Sequence, residues 1–197
     1  MLTFREDTHE YRWNGKIVPS VTQILGGLYS FAGVPIEVLE AARERGTDVH
    51  RACQFYDEGD LDEDSLTDDV RGYLAGWKAF LRDCAPVFGE IEQPVYHPTM
   101  GFAGTPDRND VEFLYQGERL QGAQIDIKTA LETHPCFGVQ TAAYSNACGR
   151  PKQRRFTVQL RNAPRGVYRI VEWKDPSDWA VFVALLTIRT FKTRNYL

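Results

Sequence analysis

The sequence contains no long apolar run and few cysteines, and these absences exclude several classes of protein. No stretch approaches the ~20 apolar residues of a membrane-spanning helix, and the first residues lack the apolar core of a signal peptide. The four cysteines lie far apart and form no Cys-x-x-Cys pair, which favours buried, reduced thiols over a zinc site or disulfides. We therefore expect a soluble, cytoplasmic protein without a membrane partner.

The chain also lacks the strong positive charge of a protein that coats nucleic acid, since its net charge is −4. The distribution is uneven: residues 1–148 carry 12 basic and 24 acidic side chains, whereas residues 149–197 carry 11 and 3. A basic C-terminal part beside an acidic body would steer a polyanion to one side of the molecule. Two solvated faces of opposite sign explain the same counts equally well.

Hydrophobic periodicity predicts a mixture of helices and strands. Residues 10–13 and 16–18 form a hairpin around Asn14-Gly15, and Ser20 with Gln23 forms the capping box of a helix at 20–27. The acid-rich segment from Asp57 to Asp69 reads as an exposed loop. Further helices are predicted at 36–45, 47–57, 68–84, 137–148 and 176–192, with Gly46 separating the first two, and strands at 87–97, 101–106, 110–116, 121–128, 153–161 and 166–173.

This order predicts one α+β (mixed α/β) domain over residues 1–197, which is an ordinary length for a single domain. A hairpin and a helical N-terminal part occupy about 1–85. A central sheet and a closing helix occupy about 86–197.

The strand at 121–128 carries the most informative polar residues. Ile125 and Ile127 alternate with Asp126 and Lys128, so the carboxylate and the ammonium share one face while the isoleucines fill the core. Asp107 follows a turn, Gly104-Thr105-Pro106, earlier in the chain. A half-buried aspartate needs a partner or a metal, and two carboxylates with a carbonyl suit a hard divalent cation. A same-face ion pair without function is the alternative.

Two further elements accompany this strand. His50 follows a helix start at Gly46-Thr47-Asp48, and an imidazole there would favour Mn²⁺ and other transition ions over Mg²⁺. Gln140 and Tyr144 are four residues apart on a predicted helix, so both can reach one phosphate or base. A lone histidine or a polar stripe is by itself weak evidence.

In their order along the chain, these elements resemble one known superfamily. His50, Gly104-x-x-Asp107, Asp126-x-Lys128 and Gln140-x-x-x-Tyr144 look like the PD-(D/E)xK nucleases in their RecB-like branch. The opening from Tyr11 to Leu25 is similar to that of the mitochondrial genome maintenance exonucleases and their phage relatives. The resemblance covers roughly residues 11 to 160.

The resemblance implies a restriction-endonuclease-like core, in which helices flank a central mixed sheet. It implies a metal-dependent DNA exonuclease that hydrolyses phosphodiester bonds from the ends of mainly single strands, in recombination, repair or replication. A phage-encoded protein in the host cytoplasm would fit. A structure-specific endonuclease with the same site and a catalytically silent nucleic-acid-binding module are the alternatives. Cleavage polarity, the choice of DNA over RNA and the oligomeric state stay open.

Residue by residue, the resemblance implies that His50, Asp107, Asp126 and the backbone carbonyl of Ile127 bind Mg²⁺ or Mn²⁺. It implies that Lys128 orients or activates the attacking water. Gln140 and Tyr144 would position the DNA strand.

Outside the shared motifs, the expectations rest on weaker signals. The basic segment 150–155 offers Arg154 and Arg155 as contacts to flanking phosphates, with a solvated basic loop as the alternative. Glu92 reads as an exposed carboxylate rather than part of the site. The closely spaced C-terminal cysteines of some branch members are missing, so we expect no iron–sulfur cluster.

Overall fold

The computed structural model describes residues 1–28 and 33–196. Within them the helices are α1 (Val21–Leu25), α2 (Ile36–Glu58), α3 (Asp68–Cys84), α4 (Cys136–Ala147) and α5 (Asp178–Arg194). The strands are β1 (Leu2–Arg5), β2 (Glu10–Trp13), β3 (Lys16–Val18), β4 (Glu90–Ile91), β5 (Val95–His97), β6 (Phe102–Gly104), β7 (Arg108–Tyr115), β8 (Glu118–Lys128), β9 (Arg155–Arg161) and β10 (Val167–Trp173).

A five-stranded mixed sheet in the order β10-β9-β8-β7-β4 lies at the centre of the fold, with helices on both sides. Strands β8 and β9 are parallel, while the other neighbours are antiparallel. The α+β fold class predicted from the sequence is therefore confirmed. No helix within the described residues combines the length and the apolarity needed to cross a bilayer.

The two faces of this sheet differ because side chains alternate along each strand. One face carries Ile125 and Ile127 of β8 and Val158 of β9, which pack with Trp77 and Phe80 of α3 in a single core. That core also includes residues of α2, so the N-terminal helices and the sheet bury their apolar surfaces together. The opposite face carries Asp126 and Lys128 and is covered by α4.

The N-terminal hairpin contacts the turn that precedes Asp107, since the Tyr11 hydroxyl lies 2.7 Å from Thr105 Oγ1. The predicted capping box is present, since the Ser20 side chain accepts from the Gln23 amide at 3.1 Å and the Gln23 side chain accepts from the Ser20 amide at 3.2 Å. The Pro19 carbonyl accepts a hydrogen bond from the amide of Ala103 at 3.0 Å. Strand β1, which the sequence patterns do not reveal, pairs with β2 and completes a three-stranded sheet.

The predicted break at Gly46 is wrong, because α2 runs without interruption from Ile36 to Glu58. A glycine inside a helix costs only ~1 kcal/mol relative to alanine, which burial of Val49, Ala52 and Cys53 outweighs. The helix ends instead at Gly59, whose φ of 75° is the left-handed conformation that glycine adopts easily.

The first residue of the predicted acidic loop is also misplaced. Asp57 lies in the last turn of α2, and its side chain is buried rather than solvated. The predicted strand at 87–97 is divided into β4 and β5.

The uninterrupted helix predicts that Gly46→Ala stabilises the protein by about 0.5–1 kcal/mol, since alanine loses less backbone entropy on folding. A Cβ at Gly46 would have Thr129 Oγ1 as its nearest neighbour, at an uncrowded 3.9 Å. Gly59→Ala is the matched control and should destabilise, because its positive φ strains an L-residue. Urea unfolding of both variants checks the prediction, and destabilisation by Gly46→Ala would contradict it.

Candidate metal centre

Three side chains from separate elements converge at one end of the polar sheet face. Helix α2 contributes His50, the bend after β4 contributes Glu92, and the turn before β7 contributes Asp107. One potential ligand atom from each lies within 4.8 Å of the others. His50 Nδ1 is 3.3 Å from Asp107 Oδ1. The structure thus brings together His50 and Asp107, two residues that the sequence predicts as metal ligands.

Asp107 is the most highly connected of the three. Its Oδ2 accepts a hydrogen bond from the amide of Ile127 at 2.5 Å, which ties it to β8. Burial by itself would raise the pKa of Asp107, but the charges of His50 and Lys128 and the hydrogen bonds from His50 and Ile127 lower it to about 2. Burial would also lower the pKa of His50, yet the negative charge of Asp107 outweighs it and the pKa of His50 is raised.

Asp126 and Lys128 form the second part of the centre. Lys128 Nζ lies 2.5 Å from Asp126 Oδ2, so the two residues form a short, buried ion pair. Burial and the nearby charge of Asp107 raise the pKa of Asp126 to about 6, against the opposing effect of Lys128. Burial would lower the pKa of Lys128, but the charges of Asp126 and Asp107 raise it.

The donor set fits a hard divalent cation. Carboxylate oxygens are the ligands that Mg²⁺ and Mn²⁺ prefer, and His50 adds a nitrogen that Mn²⁺ accepts more readily. The ionised form of Asp126 is disfavoured by burial and by the charge of Asp107, although Lys128 opposes this. A cation bound beside these two carboxylates would favour their ionised form.

Glu92 belongs to this cluster, and the expectation that it is an exposed carboxylate is wrong. Its amide donates to the Asp107 carbonyl at 3.0 Å, continuing the β4–β7 pairing that sets Ile91 opposite Arg108. Burial and the charge of Asp107 raise the pKa of Glu92 to about 8, although His50 and Arg108 oppose the shift. The short alternation Glu90-Ile91-Glu92 is a faint strand signal in the sequence, but it does not disclose the partner strand.

A buried ion pair supports the centre from the opposite side of β7. Arg108 is fully buried, and its Nη2 and Nε contact Asp57 Oδ2 at 2.6 and 2.8 Å. Its Nη1 donates to the Asp107 carbonyl at 2.6 Å. Trp77 Nε1 donates to Asp57 Oδ1 at 2.9 Å, so α2, α3 and β7 share one network. The sequence alone does not reveal this pair, because Asp57 is the first of many acidic residues between positions 57 and 69 and nothing local marks it as buried.

Gln140 and Tyr144 lie beside the carboxylates but expose little surface. The Gln140 side-chain amide donates to the Tyr144 hydroxyl at 3.2 Å, and the two residues are 8% and 5% exposed. Burial raises the pKa of Tyr144, with smaller effects from Asp126 and Asp107. The Tyr144 ring packs on Gly104, where a Cβ would lie only 2.6 Å from its Cε1. The glycine of the Gly104-x-x-Asp107 motif is therefore required by close packing.

Arg154 and Arg155 are both engaged within the protein, and the structure does not favour the phosphate contacts predicted for them. Arg155 is buried, and its Nη1 contacts Asp178 Oδ2 at 3.0 Å. Arg154 pairs with Glu172 at 2.7 Å. Its guanidinium lies over the ring of Phe156, on the sheet face opposite the carboxylates. We therefore assign neither arginine to DNA.

Removing the acidic partner of Arg108 should destabilise the fold strongly. We expect Asp57→Ala to lower the free energy of unfolding by about 3–5 kcal/mol, because it leaves a buried guanidinium without its counter-charge. Asp60→Ala, at an exposed position just beyond α2, is the control and should change stability little. Urea denaturation measures both, and equal effects would contradict a special role for Asp57.

The raised pKa of Glu92 predicts how stability depends on pH without metal. Glu92 keeps its proton to about pH 8 when folded but releases it near 4.5 when unfolded. The folded state therefore binds more protons in this window, and the free energy of unfolding falls as pH rises through it. Glu92→Gln should remove at least about 1 kcal/mol of this fall, since one pKa unit corresponds to ~1.4 kcal/mol.

Denaturation in a chelator at about pH 5 and pH 8 checks this expectation. Glu40→Gln, an exposed carboxylate on α2, is the control and should keep the pH dependence of the wild type. A Glu92→Gln variant with an unchanged pH dependence would show that Glu92 ionises normally.

Comparison with known proteins found no relative of this chain. No family model matches the chain, and no curated protein matches its sequence.

Proposed function

We propose that the protein is a metal-dependent nuclease that hydrolyses phosphodiester bonds from the ends of DNA, mainly of single strands. Recombination, repair or replication, in a phage or a cell, would use such an activity. The observation that carries the proposal is the convergence of His50, Glu92 and Asp107 at the site where Asp126 and Lys128 also meet. Carboxylates beside an amine favour phosphodiester hydrolysis over chemistry at a neutral substrate.

In this proposal Asp107, Asp126 and the carbonyl of Ile127 hold the cation, with His50 as a further ligand. Glu92 is an added candidate ligand, since it lies within reach of the same point as His50 and Asp107. A bound Mg²⁺ or Mn²⁺ supplies a water of lowered pKa and neutralises charge on the phosphoryl oxygens. Protons on Glu92 and Asp126 compete with the cation, because both pKa values are raised.

Lys128 acts directly on the reacting groups in this proposal. Its raised pKa keeps the ammonium protonated at neutral pH, so it donates hydrogen bonds and does not accept a proton. The ammonium would orient the attacking water and stabilise negative charge that develops on the phosphate. The charge of Asp126 holds the amine at this place, at 2.5 Å.

Asp126→Asn and Lys128→Ala should each lower metal-dependent cleavage of end-labelled DNA by at least about 100-fold, because Asp126 would hold the cation and Lys128 would act on the reacting phosphate. Folding and most DNA binding should persist. Glu118→Gln, at the other end of β8 and 76% exposed, is the matched control and should keep full activity.

A readout other than activity makes this test sharper. Mn²⁺ should raise the melting temperature of the wild type, since a ligand that binds only the folded state stabilises it, and Asp126→Asn should lose most of that rise. Full metal-dependent cleavage by either active-site variant would place the chemistry elsewhere.

The preference for ends is tested with a single strand in linear and circular form. We expect Mn²⁺-dependent loss of the linear strand and no cleavage of the circle, because an exonuclease needs a terminus. Cleavage of the circle would favour the structure-specific endonuclease instead. Binding of both forms without any cleavage would favour the silent binding module.

A further inference from the structure

The last turns of α5 are exposed on all sides. The first half of the helix is anchored by Phe182 and Leu186, which are buried with residues of α1 and α4. From Thr187 to Arg194 every residue is exposed, including Ile188 at 54% and Phe191 at 52%. We name the surface formed by Ile188, Arg189, Phe191, Lys192 and Arg194 the α5 tip.

The α5 tip holds positive charge that the rest of the described chain does not neutralise. Within residues 1–28 and 33–196, Arg189, Lys192 and Arg194 form no ion pair and no side-chain hydrogen bond. No acidic residue follows Asp178 in the sequence. By contrast, three arginines of the preceding basic segment are paired, Arg150 with Asp110, Arg154 with Glu172 and Arg155 with Asp178.

Helix electrostatics explain only part of this composition. Basic residues are favoured in the last turn of any helix, which accounts for Lys192 and Arg194. Arg189 lies more than one turn earlier. The helix dipole also does not explain why the apolar side chains of Ile188 and Phe191 are exposed.

We propose that the α5 tip binds the unpaired DNA strand that extends from the candidate metal centre, an inference that rests on the proposed function. Three cations without an ion-pair partner in the described residues complement the phosphates of a strand, and an exposed phenylalanine ring offers a stacking surface to a base. These features fit a single strand better than a duplex, whose bases are already stacked.

The position of the α5 tip sets the length of strand that it can reach. Phe182 lies in one cluster with Tyr144, whose hydroxyl is close enough to Asp126 and Asp107 to feel their charge. At 1.5 Å per residue, Arg189 and Arg194 lie about 10 and 18 Å further along the helix than Phe182. Stacked nucleotides rise ~3.4 Å each, so four nucleotides span about 10 Å and reach Arg189 at most, whereas contact with Arg194 needs at least about six. A strand of about four nucleotides in the centre would therefore not engage the three cations of the α5 tip together.

The test compares two variants of equal charge. Arg189→Gln/Lys192→Gln/Arg194→Gln neutralises the α5 tip, whereas Lys16→Gln/Lys152→Gln/Arg165→Gln neutralises three exposed basic residues elsewhere. Fluorescence anisotropy measures binding of oligothymidylates of about 4 and 20 nucleotides in a chelator, over about 50–200 mM NaCl. Circular dichroism and melting temperature show whether each variant is folded.

We expect the α5-tip variant to bind the longer strand at least about 10-fold more weakly. The slope of log Kd against log salt concentration should fall by about 2 for this variant, since each of the three lost phosphate contacts to a single strand contributes ~0.7. Binding of the short strand should not change, and the control should bind both strands like the wild type. Phe191→Ala should weaken binding of the longer strand without changing its salt dependence.

Three results would overturn the proposal: equal weakening in both triple variants, unchanged binding of the longer strand, or α5-tip-dependent binding to anionic lipid vesicles in place of DNA. The measurement does not require catalysis, so it separates this proposal from the proposed function. If the α5 tip governs binding but the wild type cleaves nothing with Mn²⁺, the nuclease assignment fails and the binding surface stands.

Discussion

The buried carboxylate of Asp107 connects every element of the candidate centre. Its Oδ2 accepts a hydrogen bond from the amide of Ile127 on β8, and its Oδ1 faces His50 on α2. Its carbonyl accepts from the Glu92 amide and from Arg108. The side chain of Asp107 keeps its charge although it is buried, because His50, Lys128 and the Ile127 amide favour the ionised form. The geometry around it then follows from strand pairing.

The centre contains two carboxylates whose ionised form is disfavoured by burial and by a neighbouring negative charge, and the surrounding scaffold tolerates them. Glu92 and Asp126 have raised pKa values beside the ionised Asp107, so the folded chain holds carboxylates that resist ionisation. Proteins accept such local instability mainly where a site is built. On the opposite side of β7, Asp57, Arg108 and Trp77 form a hydrogen-bonded network. This network gives the carboxylates of the centre a rigid support.

Local sequence patterns predict the elements but not their partners. Alternation in β8, the Asn14-Gly15 hairpin and the Ser20 capping box depend on neighbouring residues, and the structure confirms all of them. The break at Gly46 was wrong because packing overrides a weak propensity. Glu92 and Asp57 were missed because strand pairing and a counter-ion far along the chain bury them. Arg154 and Arg155 are engaged by carboxylates that follow them, Glu172 and Asp178, which no local pattern reveals.

The unbroken course of α2 has a mechanical consequence. His50 is carried on a rod without a joint, and Ile36 stands about 21 Å away at the other end. Ile36 and Val38 are exposed, so a partner that contacts this end would press on the same helix that holds the imidazole against Asp107. A flexible hinge at Gly46 would absorb such a push. An uninterrupted helix would instead pass the push on to the segment that carries the imidazole.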